Sequence, residues 1–176
     1  MTIENHTARR LAAAGLIAAM YAALSLLPAP LAFGPVQCRP AEALTVLAVY
    51  TPAAVPGLGV GCALTNLIGL GIGADVAGAA DVIVGPLATL AAAWLSRRWR
   101  GRTVRGLPLL STLPPVVINA VAVGAELWLV SPARTAKLLA VQIALVAAGE
   151  IVACVGGGLL LAAALRRGGI ADKIDY

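Results

Sequence analysis

LLAVQIALVAAGEIVACVGGGLLLAAAL, residues 138–165, is an apolar run whose only ionisable acid or base is Glu150. It is long enough to cross a hydrocarbon core of about 30 Å as a helix with some tilt. Working outward, comparable runs occur along the chain. The reading is an all-α, polytopic membrane protein with helical spans at about 11–32, 41–55, 57–74, 82–96, 109–130 and 138–165. A helical bundle is preferred to a barrel because the runs are continuously apolar rather than alternating.

Composition agrees. Of 176 residues, 60% are hydrophobic and 12% charged, with mean hydropathy +0.92. A soluble domain carries about twice that charged share. The whole chain, 1–176, reads as a single integral-membrane domain.

The basic residues are placed unevenly. Arg97, Arg98, Arg100, Arg102 and Arg105 crowd one loop, Arg9 and Arg10 precede the first run, and Arg166, Arg167 and Lys173 follow the last. Six spans put all of these on one side and leave only Arg39, Arg134 and Lys137 on the other. The positive-inside rule then makes both termini cytoplasmic in a cell-membrane protein. The arginine loop reads as an anchor rather than a nucleic-acid patch. Arg9 and Arg10 before an apolar run also resemble a signal peptide, but the run is longer than such a segment and further spans follow, so an uncleaved first helix is expected.

Several chemistries lack a motif. Cys38, Cys62 and Cys154 show no CxxC or Cys/His metal spacing, and three cysteines give no disulfide framework. They read as small apolar residues. His6 lies in the N-terminal tail. Neither a Walker A loop nor a dinucleotide fingerprint is present, so no cofactor is expected in this chain and any energy source is a partner. No Ser/His pair, HExxH or Asp-rich motif supports an enzyme.

The informative residues are the polar ones inside apolar runs. An acid or base at a helix centre costs about 2.5–3.5 kcal/mol on the insertion scale. Glu126 in NAVAVGAELWL and Glu150 in VAAGEIVACVGGG both lie there. Asn119 is seven residues before Glu126, nearly two turns, so they share a face. At 1.5 Å per residue, Asn119 and Glu150 both sit about 18 Å below the same side, with Glu126 above them at about 7 Å. This column is a candidate ligand or ion site; interhelical hydrogen bonding as packing glue is the alternative.

The stretch FGPVQCRPAEALTVL, 33–47, adds Gln37, Arg39 and Glu42 at the mouth of that column. Arg39 either reaches the carboxylate cluster or pairs locally with Glu42. Asp75 and Asp81 flank the loop GADVAGAAD, a flexible cover candidate or a pair of solvated carboxylates. In the first helix, Ala14, Ala18 and Ala22 form one small-residue ridge, and Gly15, Ala19 and Ala23 form a second beside it. Such ridges let another helix approach closely, from this chain or from another subunit.

These parts resemble the QueT family, the substrate-binding (S) components of energy-coupling factor (ECF) transporters associated with queuosine precursors. The resemblance covers roughly residues 8–165. It rests on FGPVQCRPAEALTVL, TPAAVPGLGVGCALTNLIG (51–69), DVIVGPLATLAA (81–92), PPVVINAVAVGAEL (114–127) and GEIVACVGGG (149–158) in that order. Pro40, Ala41 and Pro86 depart from the pattern. The resemblance implies a six-helix S component whose pocket opens outward. It also implies partners: a transmembrane coupling subunit and two cytosolic ATPases that use ATP and Mg. The first-helix ridge is the implied docking face, and transport involves toppling of the subunit in the bilayer.

The residues suit a 7-deazaguanine ligand. A guanine-like edge offers two adjacent N–H donors to one carboxylate. Its carbonyl takes a donor from Asn119, Gln37 or Arg39, and an aminomethyl substituent calls for a second carboxylate. The sequence leaves open which precursor is bound. A stand-alone proton- or cation-coupled carrier using Glu126 and Glu150 is the alternative function.

Overall fold

A computed structural model describes residues 3–27, 38–171 and 174, with side chains from residue 6 onward. Among these residues all extended elements are helical. They are α1 (Ile3–Leu26), a 3-10 helix (Pro40–Val46) running into α2 (Leu47–Tyr50), α3 (Ala54–Gly71), α4 (Asp81–Arg98) and α5 (Leu113–Val130). Then come α6 (Ala136–Glu150), a π-helical stretch (Ile151–Gly157) and α7 (Gly158–Arg167), which together form one long continuous rod. Short 3-10 turns at Gly78–Ala80 and Leu109–Thr112 lead into α4 and α5.

Local signals account for several boundaries. Pro114 and Pro115 sit in the first turn of α5, where a missing N–H costs nothing. Thr135 caps α6 by accepting from the Leu138 amide at 3.2 Å. After α3 the chain turns through Gly73 at φ +70, a left-handed position suited to glycine.

Glycine contacts give the helix directions. A Cβ on Gly57 would lie 2.7 Å from the Ala14 carbonyl oxygen, and one on Gly61 would lie 2.9 Å from that of Ala18. Four residues along α3 match four along α1, so these helices run parallel. By contrast, α4 is antiparallel to α3: Gly59 faces Leu90, and Asn66 faces Asp81. The α5–α6 pair is antiparallel too, with Gly124 against Ile143 and Trp128 Nε1 donating to the Thr135 carbonyl at 3.0 Å.

Two parallel helices in succession require the intervening chain to travel back along the bundle. The segment Pro40–Tyr50 does so. Its start meets Tyr21 in the second half of α1, and near its end the Ala48 carbonyl accepts from Arg97 at 3.1 Å. Arg10, Pro52, Arg97 and Arg166 therefore share one end of the bundle, the basic end.

The expected second span, 41–55, is corrected here. Pro40–Tyr50 covers about 20 Å from seven 3-10 and four α residues, short of a hydrocarbon core of about 30 Å. Five helices of the described residues are long and apolar enough to cross a membrane: His6–Leu26, Ala54–Gly71, Gly78–Arg98, Leu109–Val130 and Ala136–Arg167. The other expected spans are met among the described residues with ends shifted by a few residues, the last part of the expected first span, 28–32, lying outside them. Large apolar side chains such as Leu67, Ile83, Leu87, Val117 and Leu160 point outward, while Glu42, Asp81, Asn119, Glu126 and Glu150 are buried. That inside-out distribution suits lipid as the surrounding solvent.

Candidate substrate site

The buried polar groups form two connected layers. The layer farther from the basic end is built on Arg39, at the start of the short returning segment. Its Nη2 lies 2.5 Å from Asp81 Oδ2, and both side chains are almost wholly buried, at 5% and 0% exposure. Arg39 Nη1 donates to Asn66 Oδ1 at 3.1 Å, and Asn66 Nδ2 donates to the Asp81 carbonyl at 2.7 Å. One guanidinium thus joins the returning segment to α3 and to the first turn of α4. Of the two alternatives the sequence left open for Arg39, the local pair with Glu42 gives way to this arrangement with a distant carboxylate. Asp81 is not a solvated loop carboxylate but the first residue of α4.

Glu126, on α5, belongs to the same layer. The charged groups whose fields act on it are Asp81, Asp75 and Arg39. Neither of its carboxylate oxygens has a hydrogen-bond partner, nor does Asp81 Oδ1. Buried acceptors left in this state are costly unless something donates to them.

Beside it, Asp75 Oδ1 accepts from the amides of Ala77 and Gly78 at 3.0 and 3.3 Å. Burial raises the Asp75 carboxyl above its usual value, as does the negative Asp81. Arg39 and the two amides pull the other way.

The inner layer is centred on Glu42 and Glu150. Glu42 accepts from the Tyr21 hydroxyl on one oxygen and from Thr45 at 3.0 Å on the other. Glu150, the last residue of α6, accepts from the Cys154 thiol at 3.1 Å. The π-helical stretch begins at the next residue, and Gly157 within it packs closely on Ala43. Widened turns of this kind recur at functional sites.

One atom each from Glu42, Glu150 and Cys154 lies within 4.8 Å of the other two, a spacing able to hold a metal ion. Asn119 and Glu150 line the same small cavity, together with Arg39, Glu42, Gly85, Thr89 and Val123. Its volume is about 10 Å³, room for roughly one water. Asn119 Oδ1 has no partner. Cys38 is half-buried near this layer, and burial and then the Glu150 charge raise its thiol above the usual value.

Of the expected site residues, Arg39 and Asp81 pair directly. Glu42, Asn119 and Glu150 surround the inner cavity, with Glu126 outside its lining. Gln37 lies outside the described residues. Spacing alone missed Tyr21, Thr45, Asn66, Thr89 and Cys154. Asn66 and Tyr21 carried a signal, being polar groups within apolar runs; Cys154 had none beyond lying four residues after Glu150. Reading the cysteines as plain apolar residues is incomplete, since Cys62 and Cys154 sit within this network.

The two small-residue ridges of α1 separate. Ala14 and Ala18 meet Gly57 and Gly61 of α3 inside the bundle. Gly15, Ala19 and Ala23 are exposed, with Ala22 between. A groove of about 650 Å³ runs along Leu11, Gly15, Pro52, Pro56 and Val60.

The family model described as QueT transporter matches residues 11–167. The chain belongs to the QueT transporter family. Together with its apolar helices, this makes it a multi-pass membrane transporter rather than an enzyme. Comparison with curated proteins and with solved structures gave no match. Intramembrane ionisable groups commonly mark transport pathways, which makes the buried polar core the candidate site.

Proposed function

We propose that this chain is the substrate-binding S component of an ECF importer, taking a 7-deazaguanine queuosine precursor from outside the cell. The observation that carries this reading is Glu126: a buried carboxylate with both oxygens unpartnered. Two adjacent N–H groups on the guanine-like edge satisfy both at once, in a charge-assisted bidentate pair. Arg39, fixed by Asp81 and Asn66, supplies a donor toward the ring carbonyl.

In this reading the basic end is cytoplasmic, as the positive-inside rule requires, so both termini are inside and the Arg39 layer faces out. The short segment Pro40–Tyr50 then forms part of the return between α1 and α3. The exposed ridge of Gly15, Ala19 and Ala23 meets the transmembrane coupling subunit. ATP with Mg is hydrolysed in two cytosolic partners. This chain contributes recognition only.

The test is calorimetry on the purified, detergent-solubilised chain with 7-deazaguanine bases and guanine as control. Selective binding, weakened by Glu126→Gln, is expected. Unchanged affinity in that variant, or no binding by a folded protein, removes the assignment. A second reading, a proton- or cation-coupled carrier, draws on the Glu42–Glu150 pair, held by neutral donors. It predicts uptake by this chain alone, whereas the S-component reading requires co-expressed coupling and ATPase subunits.

A further inference from the structure

The inner layer holds more acceptors than the guanine-like edge uses. Glu42 and Glu150 are 1% and 3% exposed, and their hydrogen bonds come from neutral groups, Tyr21, Thr45, Cys154 and the side-chain amide of Asn119. Two carboxylates this close and this dry repel unless a cation or a proton lies between them. Asn119 Oδ1, 4% exposed and without a partner, lines the same cavity. Three oxygen acceptors therefore border a space the size of one water. A primary ammonium has that size and offers three N–H donors.

We infer that Glu42, Glu150 and Asn119 form a subsite for a primary ammonium on the ligand, so that the aminomethyl base is taken in preference to the neutral nitrile. This rests on the reading of the site as one for a 7-deazaguanine. The spacing along α5 fits the length of such a ligand. Glu126 and Asn119 are seven residues apart, about 10 Å along the axis, close to the reach of a bicyclic base with one short substituent and its hydrogen bonds. With the guanine-like edge on Glu126, the substituent points to the inner layer. An ammonium there gains charge-assisted bonds to both carboxylates. A nitrile nitrogen, itself an acceptor, is repelled by the same oxygens. The cavity as it stands is the size of the ammonium head.

The experiment compares 7-aminomethyl-7-deazaguanine, 7-cyano-7-deazaguanine and guanine by calorimetry on the full chain in detergent at neutral pH. The aminomethyl base is expected to bind about a hundredfold more tightly than the nitrile, the span given by net hydrogen bonds to charged groups. Glu150→Gln is expected to narrow that ratio to under about tenfold. Equal or tighter binding of the nitrile by the parent protein overturns the ammonium subsite and leaves the deazaguanine reading in place. Failure of every base to bind overturns both. The parent comparison needs no variant, so poor folding of Glu150→Gln does not shelter the inference.

Discussion

The Arg39–Asp81 pair makes the sharpest quantitative prediction. Both groups are desolvated, and their contact at 2.5 Å is extended by Asn66, which bonds to each residue. Replacing Arg39 by Met leaves a fully buried carboxylate with both oxygens unpartnered, since Asp81 Oδ1 has no other donor. Breaking a buried pair in this way costs about 3–5 kcal/mol. Asp81→Ala strands the guanidinium on Asn66 and costs a similar amount, with about 0.3–1 kcal/mol more for the lost acid in the first turn of α4. The double variant removes both charges, and its desolvation penalty disappears with them. It is therefore expected within about 2 kcal/mol of the parent, far below the sum of the singles. The assay is unfolding in mixed micelles of mild detergent and dodecyl sulfate, followed by circular dichroism without ligand. Additive losses in the double variant would refute the reasoning. So would single variants costing less than about 1 kcal/mol, which is how solvent-exposed pairs behave.

Other expectations follow from particular contacts. Gly61→Leu forces side-chain atoms into the Ala18 backbone and Tyr21, so it should lower stability by about 1–3 kcal/mol or more. Gly15→Ala meets nothing within 4 Å and should be neutral or stabilise α1 by up to about 1 kcal/mol; equal effects in the two variants would show that α1 and α3 do not pack as described. The raised Asp75 carboxyl binds its proton more tightly folded than unfolded. Its contribution to stability is thus greatest at low pH and is lost as pH rises from the usual carboxylate range through the raised value. Asp75→Asn should flatten that slope and slightly raise the midpoint at neutral pH, and an unchanged pH profile would contradict it. Cys38, with its thiol raised by burial and by Glu150, should alkylate more slowly at neutral pH than a free thiol and speed up with alkali; Glu150→Gln should narrow the gap.

How much was legible in the sequence depends on which interaction set each feature. The placement of five of the six expected spans followed closely from apolar length, because lipid imposes a single requirement on every span, whereas the expected span at 41–55 is a helix too short to cross. The shared level of Asn119 and Glu150 was also readable, since rise per residue converts position into depth within a straight helix. The partner of Arg39 was not. Sequence left Glu42, three residues on, and the more distant carboxylates as equal alternatives, but a 3-10 turn beginning at Pro40 leaves Arg39 extended, at φ −96 and ψ 103, outside the helix that would have aligned it with Glu42. Asp81, forty-two residues away, becomes its partner through the antiparallel packing of α3 on α4. The division of the α1 ridges was equally invisible. Ala14 and Gly15 look alike as small residues, and only the glycines at 57 and 61 decide which ridge turns inward.

The short returning segment explains why the polar site lies where it does. Because α1 and α3 are parallel, the chain between them must recross the bundle, yet Pro40–Tyr50 supplies only about 20 Å of that path. Its far end is anchored at the basic end through Ala48 and Arg97. Arg39 and Glu42, at its near end, are therefore held about a third of the way into a 30 Å core rather than at its surface. A full-length helix would have carried these two residues out to the interface, where water satisfies them cheaply. Held at depth, they draw their partners from the surrounding helices: Tyr21 from α1, Asn66 from α3, Asp81 from α4. The segment that fails to span is thus the one that builds the site. Lengthening it by one helical turn between Val46 and Leu47 should shift Arg39 and Glu42 outward by about 5 Å, enough to separate both from those partners. Retention of full stability and ligand binding in such an insertion variant would show that the site does not depend on that depth.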